Sequence, residues 1–138
     1  MIVTPAAPEH RERWQALRAA LWGDEAGDPA DRPEGDGHFV ALVDGRVVGF
    51  AEAAIRHDYV NGCDTSPVAF LEGLFVDPEY RNRGAARALV AAVADWGRAQ
   101  GCSEFASDAE IDNVDSHAMH RALGFDETER VVYFRREL

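Results

Sequence analysis

The stretch Arg81-Asn82-Arg83-Gly84-Ala85-Ala86 constrains this chain most, because it stands where a strand gives way to a helix. The apolar run at residues 70–76 and a turn at residues 77–80 come before it. Apolar side chains then recur at the i, i+3, i+4 spacing of an amphipathic helix at Ala85, Ala88, Leu89, Ala92, Val93 and Trp96. A helix N-terminus offers unpaired N–H groups and the positive end of the helix dipole. The junction therefore predicts an anion site.

The pattern Arg-x-x-Gly-x-Ala is weak by itself, and a solvated turn closed by glycine is the alternative. The sequence contains neither a Walker A motif nor the Gly-x-Gly-x-x-Gly dinucleotide motif. Gly84 would let the backbone approach a ligand closely, and Arg81 and Arg83 would add charge-assisted hydrogen bonds to phosphate. The strand before this arginine loop (residues 81–86) and the helix after it favour phosphate binding.

The other segments predict one domain over residues 1–138. Strands adjacent in sequence, followed by strand–helix alternation, indicate an α/β or α+β fold with a mixed sheet and helices packed on its faces. The predicted strands lie at residues 2–4, 38–43, 46–55, 67–76, 104–107 and 128–135, the other helices begin at Pro8 and at residue 113, and a long exposed loop covers residues 23–37.

Charge and cysteine content exclude several classes of protein. A net charge of −11 argues against nucleic acid or an anionic membrane as partner, and it suits a cationic substrate. Cys63 and Cys102 stand far apart and in no metal-ligand spacing, so we expect two free thiols and no metal site. The absence of a signal-peptide pattern predicts a cytoplasmic protein.

Glu72 is the most informative acid, because it interrupts an apolar strand where a carboxylate is unfavourable unless it is paired or faces a polar cavity. Strand alternation would place it on the face of Phe70, Leu74 and Val76. An ion pair with an arginine is the structural alternative. Its position close before the arginine loop favours a functional role. Gly73 predicts a bulge or a close approach of another group.

Further candidates are less distinctive. Asp108 follows the strand at residues 104–107, at the end of a strand where ligands often bind. Asn113 is either a helix N-cap or a ligand-binding amide. Trp22 and Tyr59 are either core aromatics or ligand surfaces. No Ser/His/Asp or Cys/His arrangement stands out, which disfavours a covalent intermediate.

The arginine loop after an apolar strand, Asn113, and the run Ala122-Leu123-Gly124-Phe125 together resemble the Gcn5-related N-acetyltransferases. Within that family the chain is similar to the bacterial aminoglycoside 6′-N-acetyltransferases. The most specific likeness is Arg56-His57-Asp58-Tyr59-Val60-Asn61-Gly62-Cys63, and further matching stretches are Leu21-Trp22 and residues 70–73, 106–108 and 124–130.

This resemblance implies the family's mostly antiparallel central sheet flanked by helices, acetyl-CoA as donor and an aminoglycoside amine as acceptor. The pyrophosphate is expected on Arg81, Asn82, Arg83, Gly84, Ala85 and Ala86, the pantetheine arm along Leu74, Phe75 and Val76, and a further cofactor contact at Asn113. The acceptor is expected to contact Trp22, Tyr59, Glu72, Asp108 and Glu129. Family members often form dimers, so a homodimer in which Glu129 reaches the neighbouring site is a further expectation.

The expected chemistry is direct transfer in a ternary complex, since a protonated amine must lose a proton before it attacks a thioester. Glu72 is the first candidate for the base, and Asp108 is the alternative base or an electrostatic anchor. His120 stands where the family often has a tyrosine that protonates the leaving thiolate. Two other interpretations stay open: the same chemistry on a polyamine or a peptide N-terminus, and a non-catalytic acyl-CoA sensor.

Overall fold

The computed structural model describes residues 1–33 and 36–138, and its five strands form one sheet in the order β1-β2-β3-β4-β5. The first four strands pair as antiparallel neighbours, and the fifth runs parallel to the fourth. The predicted mixed, mostly antiparallel sheet is therefore confirmed. The strands are β1 (Ile2–Pro5), β2 (Gly37–Val43), β3 (Arg46–Arg56), β4 (Val68–Val76) and β5 (Phe105–Ser107).

In the described part of the chain, three α-helices accompany the sheet: α1 (Arg11–Trp22), α2 (Ala85–Ala99) and α3 (Val114–Ala122). Pro8 opens a 3-10 turn, Pro8–His10, that leads into α1. The predicted loop between α1 and β2 contains two further 3-10 turns, Gly23–Glu25 and Pro29–Asp31. Glu34 and Gly35 of that loop lie outside the described residues. Within the described residues, every helix falls short of the length and apolar character that a bilayer span requires.

The predicted hairpin of β2 and β3 turns at Asp44 and Gly45, whose φ angles are 50° and 78°. Positive φ at both central residues matches the right-handed twist of the flanking strands, and glycine adopts it without steric penalty.

Side chains alternate across the sheet and form a core on each face. On one face, Ala41, Val48 and Leu71 pack with Leu89 and Val93 of α2. On the other face, Val40, Val47 and Phe50 pack with Trp14 and Leu17 of α1. Because neighbouring strand residues point to opposite faces, the two helices cover opposite sides of the sheet.

A bulge in β4 decides where Glu72 points. Glu52 of β3 pairs with Gly73 while Ala53 pairs with Leu71, so Glu72 is one extra residue between two regular pairs. The prediction that Glu72 shares a face with Leu74 and Val76 is therefore wrong. Leu74 and Val76 belong to the core beneath α2, whereas Glu72 lines a cleft with Trp22 at the end of α1.

The prediction of a last strand at residues 128–135 is also wrong. Residues 125–138 carry no helix or strand, although the stretch has the apolar content of a strand. Val132, Tyr133 and Phe134 are 72%, 80% and 92% exposed. A strand needs a partner for its backbone groups, and among the described residues β5 pairs only with β4.

Candidate active site

The arginine loop has the backbone shape of an anion site. Asn82 and Gly84 have φ angles of 63° and 85°, and Gly84 is the N-cap of α2. Left-handed residues in such a loop turn successive N–H groups toward one side. Residues 81–84 are exposed, so these groups face solvent at the positive end of the α2 dipole.

The two arginines are supported by neighbouring groups. Arg81 donates from Nε to the carbonyl of Val76 at 2.9 Å, and its guanidinium lies 5.2 Å from the ring centre of Phe75. Arg83 lies 5.3 Å from the ring centre of Tyr80. These contacts limit the conformations of both side chains and leave donors available for a ligand.

Asp77 anchors the turn before this loop. It accepts from the Glu79 N–H at 3.0 Å and from Arg13 of α1 at 2.9 Å. The Glu79 N–H, followed by Arg13, holds the pKa of Asp77 below its usual value. The approach to the arginine loop is therefore tied to α1.

The β5-facing edge of β4 is open beyond Leu71. β5 pairs with Ala69, Phe70 and Leu71, and within the described chain this pairing stops there. Residues 73–76 pair with β3 on their other side. Since alternate residues of an antiparallel strand aim backbone groups at the second edge, Leu74, Phe75 and Val76 offer hydrogen-bonding groups to an extended ligand.

A cleft of about 320 Å³ lies beside this edge, and we call it the Glu72 cleft. Trp22 packs over Gly73 so closely that a Cβ there would collide with the indole ring. The prediction of a close approach at Gly73 is thus confirmed. The cleft is lined by Arg18, Trp22, Glu25, Ala26, Arg32 and Glu72.

A larger depression of about 610 Å³ lies beside α1 and shares no residue with this cleft. It is lined by Pro8, Glu9, Arg11, Glu12, Gln15 and Asp28, and it touches neither the β4 edge nor the bulge. The site is therefore assigned to the smaller cleft, where an acid, an open edge and a bulge meet.

A buried carboxylate, Glu52, underlies the cleft. It is fully buried, and its Oε2 accepts from Trp14 Nε1 at 2.9 Å and from Arg18 Nε at 2.7 Å. Sequence reasoning missed Glu52, although it interrupts an apolar strand just as Glu72 does. That signal could have identified it.

Sequence reasoning also missed Arg32, which extends from the loop between α1 and β2 toward Glu52 and neighbouring carboxylates. Its guanidinium lies 3.1 Å from Asp36, 3.4 Å from Glu52 and 3.5 Å from Glu72. The ion pair offered as the structural alternative for Glu72 is therefore present, yet the Glu72 side chain remains 30% exposed in the cleft. Glu72 is therefore paired with Arg32 and still accessible from the cleft.

His38 completes this cluster from β2. It lies directly opposite Glu52 in the β2–β3 register, and its Nε2 accepts from Arg32 Nε at 3.3 Å. Burial, followed by the charges of Arg32 and Arg18, lowers the pKa of His38 to about 4. The imidazole is therefore neutral near pH 7.

Asp108, Tyr59 and Glu129 are all exposed, and Tyr59 is 76% exposed. In the described part of the chain, no hydrogen bond or ion pair joins any of them to Glu72. The segment that carries Glu129 does approach the loop that carries Tyr59, because a Cβ on Gly62 would collide with Thr128. Their roles remain predictions.

The Tyr59 loop is fastened at its far end by Glu104. This carboxylate accepts from the N–H groups of Asp64 at 2.9 Å and Thr65 at 2.7 Å, and also from the Thr65 hydroxyl. The Thr65 hydroxyl, with the two N–H groups, lowers the pKa of Glu104.

His120 lies on α3 beside β5. Its Nδ1 is 2.7 Å from the carbonyl of Ser116, which can only accept, so Nδ1 carries a proton. Its Nε2 lies 2.8 Å from Ser107 Oγ. The ring packs edge-on against Phe125, with 5.4 Å between centroids.

Asn113 caps α3, accepting from the N–H of Ser116 at 3.1 Å. The capping interpretation is confirmed. A contact with a cofactor stays a prediction.

Both cysteines are free thiols, as expected. Burial raises the pKa of Cys63, with Glu104 adding to the effect, and burial raises the pKa of Cys102. A raised pKa leaves less of the reactive thiolate. Within residues 1–33 and 36–138, no group of three or more His, Cys, Asp or Glu is arranged to hold a metal.

Comparison with known proteins gives a consistent result. The acetyltransferase (GNAT) family model matches residues 4–125. Two similar relatives are both named aminoglycoside N(6′)-acetyltransferase type 1. The protein from Salmonella enteritidis is 50% identical, over 92% of this chain and 92% of its own length. The protein from Stenotrophomonas maltophilia is 48% identical, over 99% of this chain and 93% of its own length.

A solved structure with the same fold is AAC(6′)-Iy in complex with the bisubstrate analogue CoA-S-monomethyl-acetylneamine. It is 46% identical to this chain, with a TM-score of 0.91, and the match covers 99% of this chain and 98% of that one.

Proposed function

Since this chain belongs to the acetyltransferase (GNAT) family, we propose that it transfers the acetyl group of acetyl-CoA to the 6′-amine of an aminoglycoside and so gives resistance. The observation that carries this proposal is the adjacency of two sites on β4. The open edge at residues 73–76 leads to the arginine loop, and the bulge places Glu72 in a cleft that Glu25 also lines. Relatives 46–50% identical with this named activity support it.

The donor side fits acetyl-CoA. The N-terminus of α2 and the two arginines of the loop supply N–H groups and positive charge for a pyrophosphate. The open β4 edge suits a pantetheine arm, whose amides resemble a peptide strand. Bound acetyl-CoA supplies an activated acetyl thioester. Residues 81–86 would hold its phosphates, with Asn113 as a further contact.

The acceptor side fits a polycation. Glu72 and Glu25 both line the cleft, and Trp22 provides an apolar wall against which a sugar ring packs. Asp108, Tyr59 and Glu129 extend the acceptor site beyond the cleft. Carboxylates spread over one surface favour a substrate with several ammonium groups.

In the proposed mechanism, Glu72 takes a proton from the bound ammonium, directly or through a water. The neutral nitrogen then attacks the thioester carbonyl carbon, the N–C bond forms and the C–S bond breaks. The nitrogen loses its second proton to solvent or, through His120, to the leaving thiolate. Backbone N–H groups at residues 74–76 stabilise the negative charge on the carbonyl oxygen. His120 is the candidate donor of a proton to the leaving thiolate: Nε2, which lies 2.8 Å from Ser107 Oγ, would take up a proton from the acceptor nitrogen and pass it on, while the Nδ1 proton stays hydrogen-bonded to the Ser116 carbonyl.

The exposed segment at residues 125–138 supports a homodimer. Val132, Tyr133 and Phe134 form an exposed apolar run, and β5 ends the sheet with an unpaired edge in the described chain. Addition of this segment as a strand to the β5 edge of a second copy would bury the apolar side chains and pair the open edge. It would carry Glu129 toward the partner's acceptor site. We also propose that residues 1–138 form one cytoplasmic N-acetyltransferase domain.

Thiol release from acetyl-CoA tests the activity. We expect rapid release with neamine and kanamycin, little with an aminoglycoside that has a hydroxyl group at the 6′ position, and little with spermidine or a peptide N-terminus. The product should carry its acetyl group on the 6′ nitrogen by NMR. Acetyl-CoA binding without transfer to any aminoglycoside would contradict the proposal. Faster transfer to spermidine or a peptide would favour another acceptor.

A further inference from the structure

Arg32 lies beside Glu72, the proposed base. Its side chain is 17% exposed, and its Nη2 lies 3.5 Å from Glu72 Oε1. Within the described residues, Glu72 has no other ion-pair partner, so its second oxygen, Oε2, is open to a ligand in the cleft. A carboxylate can serve two donors at once. An ammonium on Oε2 would therefore share the carboxylate with the Arg32 guanidinium.

Other anchors hold Arg32 in place while Glu72 serves the acceptor. Asp36 lies 3.1 Å from Nη2 and Glu52 lies 3.4 Å from Nε. Oε1 of Glu52 is buried and makes no hydrogen bond in the described chain, so its attraction for Arg32 is not divided among other donors. The Arg32 guanidinium would thus stay in place when an amine binds at Glu72.

Among the described residues, charged and titratable side chains surround Glu72 and Arg32. Arg18 and Glu25 line the cleft with Glu72, and Asp36, His38 and Glu52 surround Arg32. His38 is neutral near pH 7, and Arg18 is committed to Glu52 at 2.7 Å. Arg32 is consequently the described cation that pairs with Glu72 itself.

We propose that Arg32 disfavours the protonated form of the acceptor amine at Glu72 and so raises the fraction that is a competent nucleophile. This inference rests on the proposed function. A like charge within a few ångströms makes an ionised group easier to neutralise. The same repulsion weakens binding of the ammonium form. Arg32 therefore lowers the affinity for the acceptor and speeds the transfer step.

The test compares Arg32→Gln with the wild type, using enzyme loaded with acetyl-CoA and mixed rapidly with neamine. In Arg32→Gln, the transfer rate should rise with pH at values about one pH unit higher than in the wild type, as expected for loss of one nearby like charge. At pH 7 transfer should slow about tenfold, and the acceptor KM should fall several-fold. A purely structural role predicts the opposite for KM, which would rise as the rate falls.

Arg32→Lys should retain the wild-type pH profile, because it keeps a positive charge. Arg98→Gln is the matched control, since Arg98 is an exposed arginine of α2 that pairs with Asp95 on the same helix. Arg32→Met repeats the test with the aliphatic stem preserved if the glutamine variant folds poorly. An unmoved profile in the uncharged variants, or an equal shift in Arg32→Lys, would overturn the inference.

Calorimetry separates this inference from the proposed function. Neamine binding in two buffers of different ionisation enthalpy reports the protons released on binding. The wild type should release more protons than Arg32→Gln, whether or not transfer follows. Absence of transfer by the wild type would contradict the proposed function, whereas equal proton release in the two proteins would contradict the role of Arg32.

Discussion

Arg18 of α1 and Glu52 of β3 form an ion pair inside the protein, with 2.7 Å between Nε and Oε2. They are 34 residues apart in sequence, and their side chains are 6% and 0% exposed. This pair ties the helix that carries Trp22 to the strand beside Glu72. It is the internal support of the Glu72 cleft.

Removal of one partner should be much worse than removal of both. Glu52→Ala leaves Arg18 buried without its carboxylate, and we expect a loss of about 3–5 kcal/mol in the free energy of unfolding. The double variant Arg18→Met/Glu52→Leu should lose less than Glu52→Ala alone. Urea unfolding measures Glu52→Ala, the double variant and its two single changes, Arg18→Met and Glu52→Leu. A double variant as unstable as the sum of its single changes would show that the two residues are not coupled.

Glu72→Gln should slow acetyl transfer while leaving acetyl-CoA affinity unchanged, because Glu72 lies in the cleft and outside the arginine loop. Arg83→Ala should instead weaken CoA binding and leave the rate of transfer at saturating acetyl-CoA nearly unchanged. Loss of a charge-assisted contact of about 1.5–3 kcal/mol predicts a Kd for CoA that is about ten- to a hundredfold higher. Calorimetry with CoA and steady-state rates at saturating acetyl-CoA distinguish them. If both variants weakened only CoA binding, Glu72 would not be the base.

Gly73→Ala should displace Trp22, since a Cβ at this position collides with the indole ring. We expect destabilisation of about 1–3 kcal/mol, typical of overpacking, together with a higher acceptor KM. In a Trp22→Ala background, Gly73→Ala should cost little further stability, because the indole ring that a Cβ would meet is gone. Thermal unfolding and kinetics provide the two measurements. A Gly73→Ala protein of normal stability would mean that Trp22 moves aside freely.

Acid should destabilise the protein partly through His38. Its folded pKa of about 4 lies below the unfolded value of 6.5, so the unfolded chain takes up a proton first as the pH falls. Stability is therefore lost between about pH 6.5 and pH 4. His38→Gln should flatten the change in urea midpoint between pH 7 and pH 5, whereas the exposed His57→Gln should not. An unchanged slope in His38→Gln would exclude this contribution.

Phe134→Asp should prevent assembly, because it places a charge within the exposed apolar segment at residues 125–138. Sedimentation velocity should show the wild type at twice the chain mass of 15.2 kDa and the variant at the chain mass itself. Ile111→Asp changes an apolar residue that is 54% exposed outside this segment, and it should leave the dimer intact. A monomeric wild type would contradict the proposed homodimer.

Local patterns were enough to predict most of the elements. The Asp44-Gly45 turn, the helix after Gly84 and the Asn113 cap depend on residues close in sequence, whose backbone preferences and apolar spacing act locally. The mixed sheet followed from the order of these elements. The arginine loop was predictable for the same reason, since strand, turn and helix are contiguous there.

Interactions between distant segments decided the rest. The bulge at Glu72 turns its side chain away from Leu74 and Val76, and alternation alone could not reveal it because the β3–β4 register sets it. Residues 128–135 have the composition of a strand but no partner within the described chain, and a strand forms only where its backbone groups are paired. Glu52 was visible as an acid in an apolar run. Its contacts with Arg18, Arg32 and His38 depend on the packing of four chain segments, and local sequence patterns do not encode such packing.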